Sequence, residues 1–141
     1  MISGYFSAKW GCPFVWVRLT VPGRPPQPIP FLIDTGSATS IVHAKDARTR
    51  LDLAVSGLDP AAWPPGEIVR RRGVAGVALS RPMNAVFNFV HEDGTAETIA
   101  GTVELGALNT EHLPSLLGWD VLRHFRLDLN ASRGSVALLP P

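Results

Sequence analysis

Val15, Val17, Leu19 and Val21 alternate with Trp16, Arg18 and Thr20. A period of two residues belongs to a strand with one face turned inward, and it rules out a helix over that stretch. The rhythm recurs along the chain in short pieces separated by turn residues. Pro22 to Pro28 breaks the first strand, and Ile29 to Ile33 follows as a nearly continuous apolar run, the pattern of a strand buried on both faces. Ser40 to Val42, Glu67 to Arg72, Val77 to Val90, Thr98 to Leu105, Leu113 to Leu117, Leu127 to Leu129 and Val136 to Leu139 read as further strands. Turns are expected at Gly73 to Gly76, Glu92 to Gly94 and Ser132 to Gly134, with a loop from Leu58 to Gly66. One helix stands out, Asp120 to Phe125. Val121, Leu122 and Phe125 fall on one face of it, and Asp120 is placed to cap its first turn. Ala44 to Leu51 has room for one or two helical turns. Many short strands with regular turns predict an all-β barrel or sandwich. At 141 residues, with no dividing linker and no internal repeat, the chain reads as one domain, 1–141.

Composition narrows the partners. A formal net charge of +1 lacks the basic excess of a nucleic-acid binder, so no nucleic acid is expected. Cys12 is the one cysteine, which leaves no internal disulfide to form. His43, His91, His112 and His124 show no metal-ligand spacing with each other or with Cys12, so neither metal nor cofactor is expected. Met1 to Phe6 lacks a basic region followed by an apolar run, and no stretch is long and apolar enough to span a bilayer. The expectation is a cytoplasmic protein with no membrane attachment. Arg70 to Arg72 reads as a solvated strand face, with a bias of a neighbouring cleft toward acidic ligands as the other reading. The four tryptophans read as core or interface residues, and Cys12 as a half-buried structural thiol.

Chemistry concentrates at Asp34. Ile29, Phe31, Leu32 and Ile33 carry the chain into an interior, and an acid follows them directly. A carboxylate at the end of a buried strand is costly unless it is hydrogen bonded or used. Thr35, Gly36 and Ser37 supply backbone and hydroxyl donors in a tight turn. An Asx turn closing a hairpin fits the same residues equally well.

A second segment, Pro114 to Leu122, separates these readings. Taken with Phe31 to Val42 it resembles the retropepsin-like aspartic proteases. In that family a D-T/S-G turn is followed by a flap hairpin, then by an apolar pair, Gly, a variable residue, Asp or Asn, and a short helix. Leu116, Leu117, Gly118, Trp119 and Asp120 follow that order, and Gly73, Val74, Ala75 and Gly76 stand where the flap belongs. The likeness runs from about Phe14 to Leu139. It implies an acid-protease barrel with a flap hairpin and one short C-terminal helix. It also implies an aspartic endopeptidase acting on polypeptides, with Asp34, Thr35 and Gly36 as its catalytic turn. Leu117, Gly118 and Asp120 then form a structural motif. With a single D-T-G, the second carboxylate would come from Asp34 of another copy, which makes the active species a homodimer, with Ser135 to Leu139 contributing to its interface. Thr35 would brace the two active-site loops against each other. The alternative is a retropepsin-like dimerisation or binding module without proteolysis.

Two departures from the family pattern stand out. Trp119 occupies the variable position where many members carry Arg, and Ala38 the position of that arginine's acidic partner, so the usual charged tether between helix and active-site loop is absent. Ser37 stands where retroviral members have Ala. Its hydroxyl is expected to support the site by hydrogen bonding the Asp34 carboxylate.

Overall fold

The computed structural model describes residues 1–73 and 76–141. It is mostly β-sheet. Eleven strands are present among the described residues: β1 (Ile2–Ser3), β2 (Tyr5–Phe6), β3 (Pro13–Thr20), β4 (Gln27–Ile33), β5 (Ile41–Val42), β6 (Val69–Gly73), β7 (Gly76–Val90), β8 (Ala96–Gly106), β9 (Ser115–Leu117), β10 (Arg126–Asn130) and β11 (Ser135–Leu139). Two short helices accompany them, α1 (Ala44–Thr49) and α2 (Trp119–Leu122). The single expected helix is therefore joined by a second, in the stretch that had room for one or two turns.

The large sheet runs β2-β3-β4-β9-β5-β8-β7-β6, and β3 also pairs with β7. That extra pairing closes six of the strands into a ring. The alternation in β3 works as read: Val15, Val17 and Leu19 are fully buried while Trp16 and Arg18 face out. Ala85, Phe87 and Phe89 of β7 point into the same interior, with the Phe31 and Phe87 ring centroids 6.2 Å apart. β4 departs slightly from its expectation. Ile29, Phe31 and Ile33 are buried, but Pro30 and Leu32 are only half-buried. Its prolines, Pro28 and Pro30, precede the pairing with β9, which begins at Phe31, so neither removes a donor from that ladder.

A smaller sheet, β1-β11-β10, packs Ile2, Val136 and Leu138 into the same core as the ring. The two-residue strands β1 and β2 were too short to carry a period. β11 lies between β1 and β10, so both its edges are paired within the protomer. β1 and β10 are the edges of that sheet. The expected loop from Leu58 to Gly66 is mostly 3₁₀ turns, Val55–Leu58, Pro60–Ala62 and Pro65–Glu67. Leu58 and Trp63 anchor it in the interior. Of the tryptophans, Trp63 alone is buried; Trp10, Trp16 and Trp119 are exposed. Both predicted turns at Gly94 and Gly134 are present, with φ of 86° and 63°. No helix among the described residues is long and apolar enough to cross a membrane.

Candidate functional site

The site lies where β9 slots between β4 and β5. Phe31, Leu32 and Ile33 pair in parallel with Ser115, Leu116 and Leu117, and Ile41 pairs antiparallel with Leu116. The chain from Asp34 to Ser40 must therefore cross the end of β9 to pass from β4 to β5. Gly118 sits under that crossing. A Cβ there would stand 2.5 Å from the carbonyl oxygen of Thr39 and 2.8 Å from that of Ser37, both backbone atoms with little freedom to yield. Only glycine lets the loop lie this close.

Asp34 stands at the head of the crossing, half-buried. Its amide donates to the carbonyl of Leu117 at 3.0 Å, extending the β4–β9 ladder by one residue. Its Oδ1 accepts from the Gly36 amide at 2.9 Å, and its carbonyl accepts from the Ser37 amide at 3.2 Å. The Asx-turn geometry is thus real, but it joins two strands separated by β9 rather than closing a hairpin. Thr35 and Gly36 are exposed, and a Cβ on Gly36 would lie 3.2 Å from Asp34 Oδ1.

Ser37 does not do what was expected of it. Its hydroxyl donates to the carbonyl of Thr39 at 2.7 Å, so its one proton is committed within the loop and not to Asp34. Asp120 is also corrected. Gly118 is the N-cap of α2 and no side chain caps that helix. The Asp120 carboxylate instead reaches across to Ser40, accepting from its amide at 3.0 Å and from its hydroxyl at 2.7 Å. Ser40 Oγ accepts in turn from the Gly118 amide at 3.0 Å. The Trp119 and Asp120 amides donate to the carbonyls of Ser37 and Ala38 at 2.9 and 3.1 Å. The charged tether is absent, but the Trp119 indole Nε1 donates to the Thr35 carbonyl at 2.6 Å. A neutral donor thus links α2 to the loop.

The hairpin is present. β6 and β7 pair from Val69↔Ser80 to Gly73↔Gly76, while Val74 and Ala75 of the expected flap lie outside the described residues. No hydrogen bond among the described residues joins Gly73 or Gly76 to the Asp34 loop. The connection runs further down. Arg71, read as part of a solvated face, alternates to the opposite side from Arg70 and Arg72. It donates to Glu104 through Nε at 3.2 Å and Nη2 at 2.6 Å. Ser80 Oγ donates to the same carboxylate at 2.5 Å, and the Thr39 hydroxyl is a further donor to it. Burial alone would raise the Glu104 pKa, but the hydrogen bonds from Arg71, Ser80 and Thr39 outweigh it and hold the group below its ordinary range. Glu104, Ser40 and Arg71 were not read from the sequence as site residues. The available signal was Glu104 itself, an acid between Val103 and Leu105 in a strand, the same kind of anomaly as Asp34.

Behind the loop, His43 is buried. Its Nδ1 faces the Pro114 carbonyl at 2.5 Å, and its amide donates to Ser115 Oγ. Burial pushes its pKa down, which outweighs the upward pull of the Pro114 carbonyl and Asp46. Cys12 is half-buried with Sγ 3.3 Å from the Trp10 carbonyl. Among the described residues no three His, Cys, Asp or Glu side chains converge as metal ligands. Neither a protein-family model nor a curated protein sequence matches the chain.

Proposed function

We propose that the chain is an aspartic endopeptidase of the retropepsin-like kind, active as a homodimer in which each copy contributes Asp34. The observation that carries this reading is the setting of Asp34. A carboxylate is held at the end of a core strand, on a loop fastened from below by Gly118, Trp119 and Asp120, with its flanking Thr35 and Gly36 exposed. An ordinary turn aspartate has no need of such bracing. The ring closed by β3 and β7, and the β6–β7 hairpin following the Asp34 loop in the chain, agree with the same reading.

In the proposed mechanism two Asp34 carboxylates meet across a two-fold axis. At close range both cannot be ionised, so the pair shares one proton, as aspartic-protease dyads generally do. The ionised member takes a proton from a water as it attacks the peptide carbonyl. The protonated member supports the developing oxyanion, and the leaving amine is protonated as the C–N bond breaks. Polypeptide is therefore the substrate class.

The test is cleavage of a mixed peptide pool by the parent and by Asp34→Asn. The parent is expected to cut with a bell-shaped pH dependence, and the variant to lose cleavage at every pH while keeping its β circular dichroism. Sedimentation should show activity following the dimer. Residual cleavage in Asp34→Asn, or full activity in a monomer, overturns the reading. A folded dimer that cuts nothing points to the non-proteolytic module.

A further inference from the structure

Among the described residues Glu104 is the only buried acid, with its side chain 7% exposed, and the chemistry proposed for Asp34 makes no use of it. Burying a carboxylate is costly unless donors replace its water. Its donors come from three separate pieces of chain: Thr39 in the loop that follows Asp34, Arg71 on β6, and Ser80 on β7. The backbone adds a fourth link, the Glu104 amide donating to the Ser40 carbonyl at 3.0 Å. Ser40 in turn holds Asp120. The carboxylate forms part of a cleft of about 210 Å³ that Val69, Pro82 and Thr102 also line. Arg71 and Asp120 are the other charged groups on its walls.

We propose that Glu104 is a positioning residue that couples the β6–β7 hairpin to the loop carrying Asp34, through Arg71 and Ser80 on one side and Thr39 on the other. The physical reason is shared cost. If the hairpin swings outward, Arg71 leaves and a buried charge loses its counterion. If the loop shifts, Thr39 leaves and the same charge loses a hydroxyl donor. Either movement weakens the site that holds the other, which is a coupling free energy between two segments. Arg71 is suited to the moving side, since its own side chain is 44% exposed and its head can be hydrated when it departs. The catalytic consequence, a hairpin whose closure steadies Asp34, rests on the peptidase reading; the coupling does not.

Amide hydrogen exchange of the full chain tests it. Arg71→Met changes a partly exposed side chain and should fold. It is expected to speed exchange in residues 69–73 and 76–80, and also, by about fivefold, in the Thr35–Ser40 loop. Thr39→Val should speed exchange in residues 69–73 and 76–80 in return, because coupling is reciprocal. The double variant should loosen each segment less than the two single effects combined. Arg81→Met, which removes the neighbouring exposed pair with Glu67, should leave the loop unchanged. The proposal is overturned if Arg71→Met and Thr39→Val each loosen only their own segment, or if Arg81→Met loosens the loop as much as Arg71→Met does. None of these readouts uses peptide cleavage. Failure of the coupling leaves the Asp34→Asn result standing, and the reverse also holds.

Discussion

The hydroxyl of Ser37 belongs to the loop and not to the Asp34 carboxylate. Ser37→Ala should therefore lower stability by about 1 kcal/mol, the ordinary worth of one hydrogen bond, and leave the acidic limb of any cleavage profile where it was. Urea denaturation and the pH profile check the two halves; a shift of that limb would mean the hydroxyl turns to Asp34 in the active species. Gly118→Ala is the harsher change. Its methyl meets backbone carbonyl oxygens of Thr39 and Ser37, so a loss of about 3 kcal/mol is expected, read as a lowered urea midpoint. At this scale the sequence was legible where a residue's neighbours in the chain are also its neighbours in space. The Asp34–Gly36 turn was of that kind. Asp120 was not: local pattern made it a helix cap, and the fold gives it Ser40, 80 positions away. Ser37 had two close acceptors in the chain, Asp34 and Thr39, and pattern alone does not choose between them.

β3 and β7 were placed within a few residues, because each repeats its burial pattern often enough to be counted. β8 was placed as closely, although its inner end is buried at four residues in a row. β1 and β2, two residues each, exist through their partners β11 and β3 and leave no periodic trace. α2 is shorter than predicted, ending at Leu122, yet Val121, Leu122 and Phe125 are all buried as the apolar face required. The link from this helix to the Asp34 loop gives a prediction at the scale of elements. Trp119→Phe keeps a ring at the same place but removes the indole donor to Thr35. Exchange of the Thr35–Ala38 amides should rise by about fivefold, for a bond worth about 1 kcal/mol, while β7 and β8 are unaffected. Unchanged exchange would show that the backbone bonds from Trp119 and Asp120 hold the loop alone.

For the molecule as a whole, two buried groups set how stability answers to acid. His43 is pushed below its usual 6.5 by burial, so the unfolded chain binds a proton that the folded chain refuses. Stability is then full above about 6.5 and falls as pH drops through that value. Glu104 stands below its usual 4.5, and its contribution is present above that value and lost as pH falls toward the folded pKa. Urea midpoints should therefore drop in two stages on acidification, and His43→Asn should remove the upper stage only. A midpoint flat from pH 7.5 to 5.5 in the parent would contradict the assignment to His43.

The insertion of β9 between β4 and β5 also fixes an order of events in time. β4 and β5 have no ladder with each other; β4 has β3 and β5 has β8, but the two are joined only through residues 115–117, which leave a ribosome long after both. Parallel pairing over such a separation is a late and slow step, since the entropy of closing the intervening chain is lost before any contact is gained. Until then the turn at Asp34 has neither the Leu117 carbonyl above it nor Gly118 beneath it. A nascent chain thus carries Asp34 without the support that orients it, and whatever Asp34 does becomes possible only once the chain has been made past Gly118.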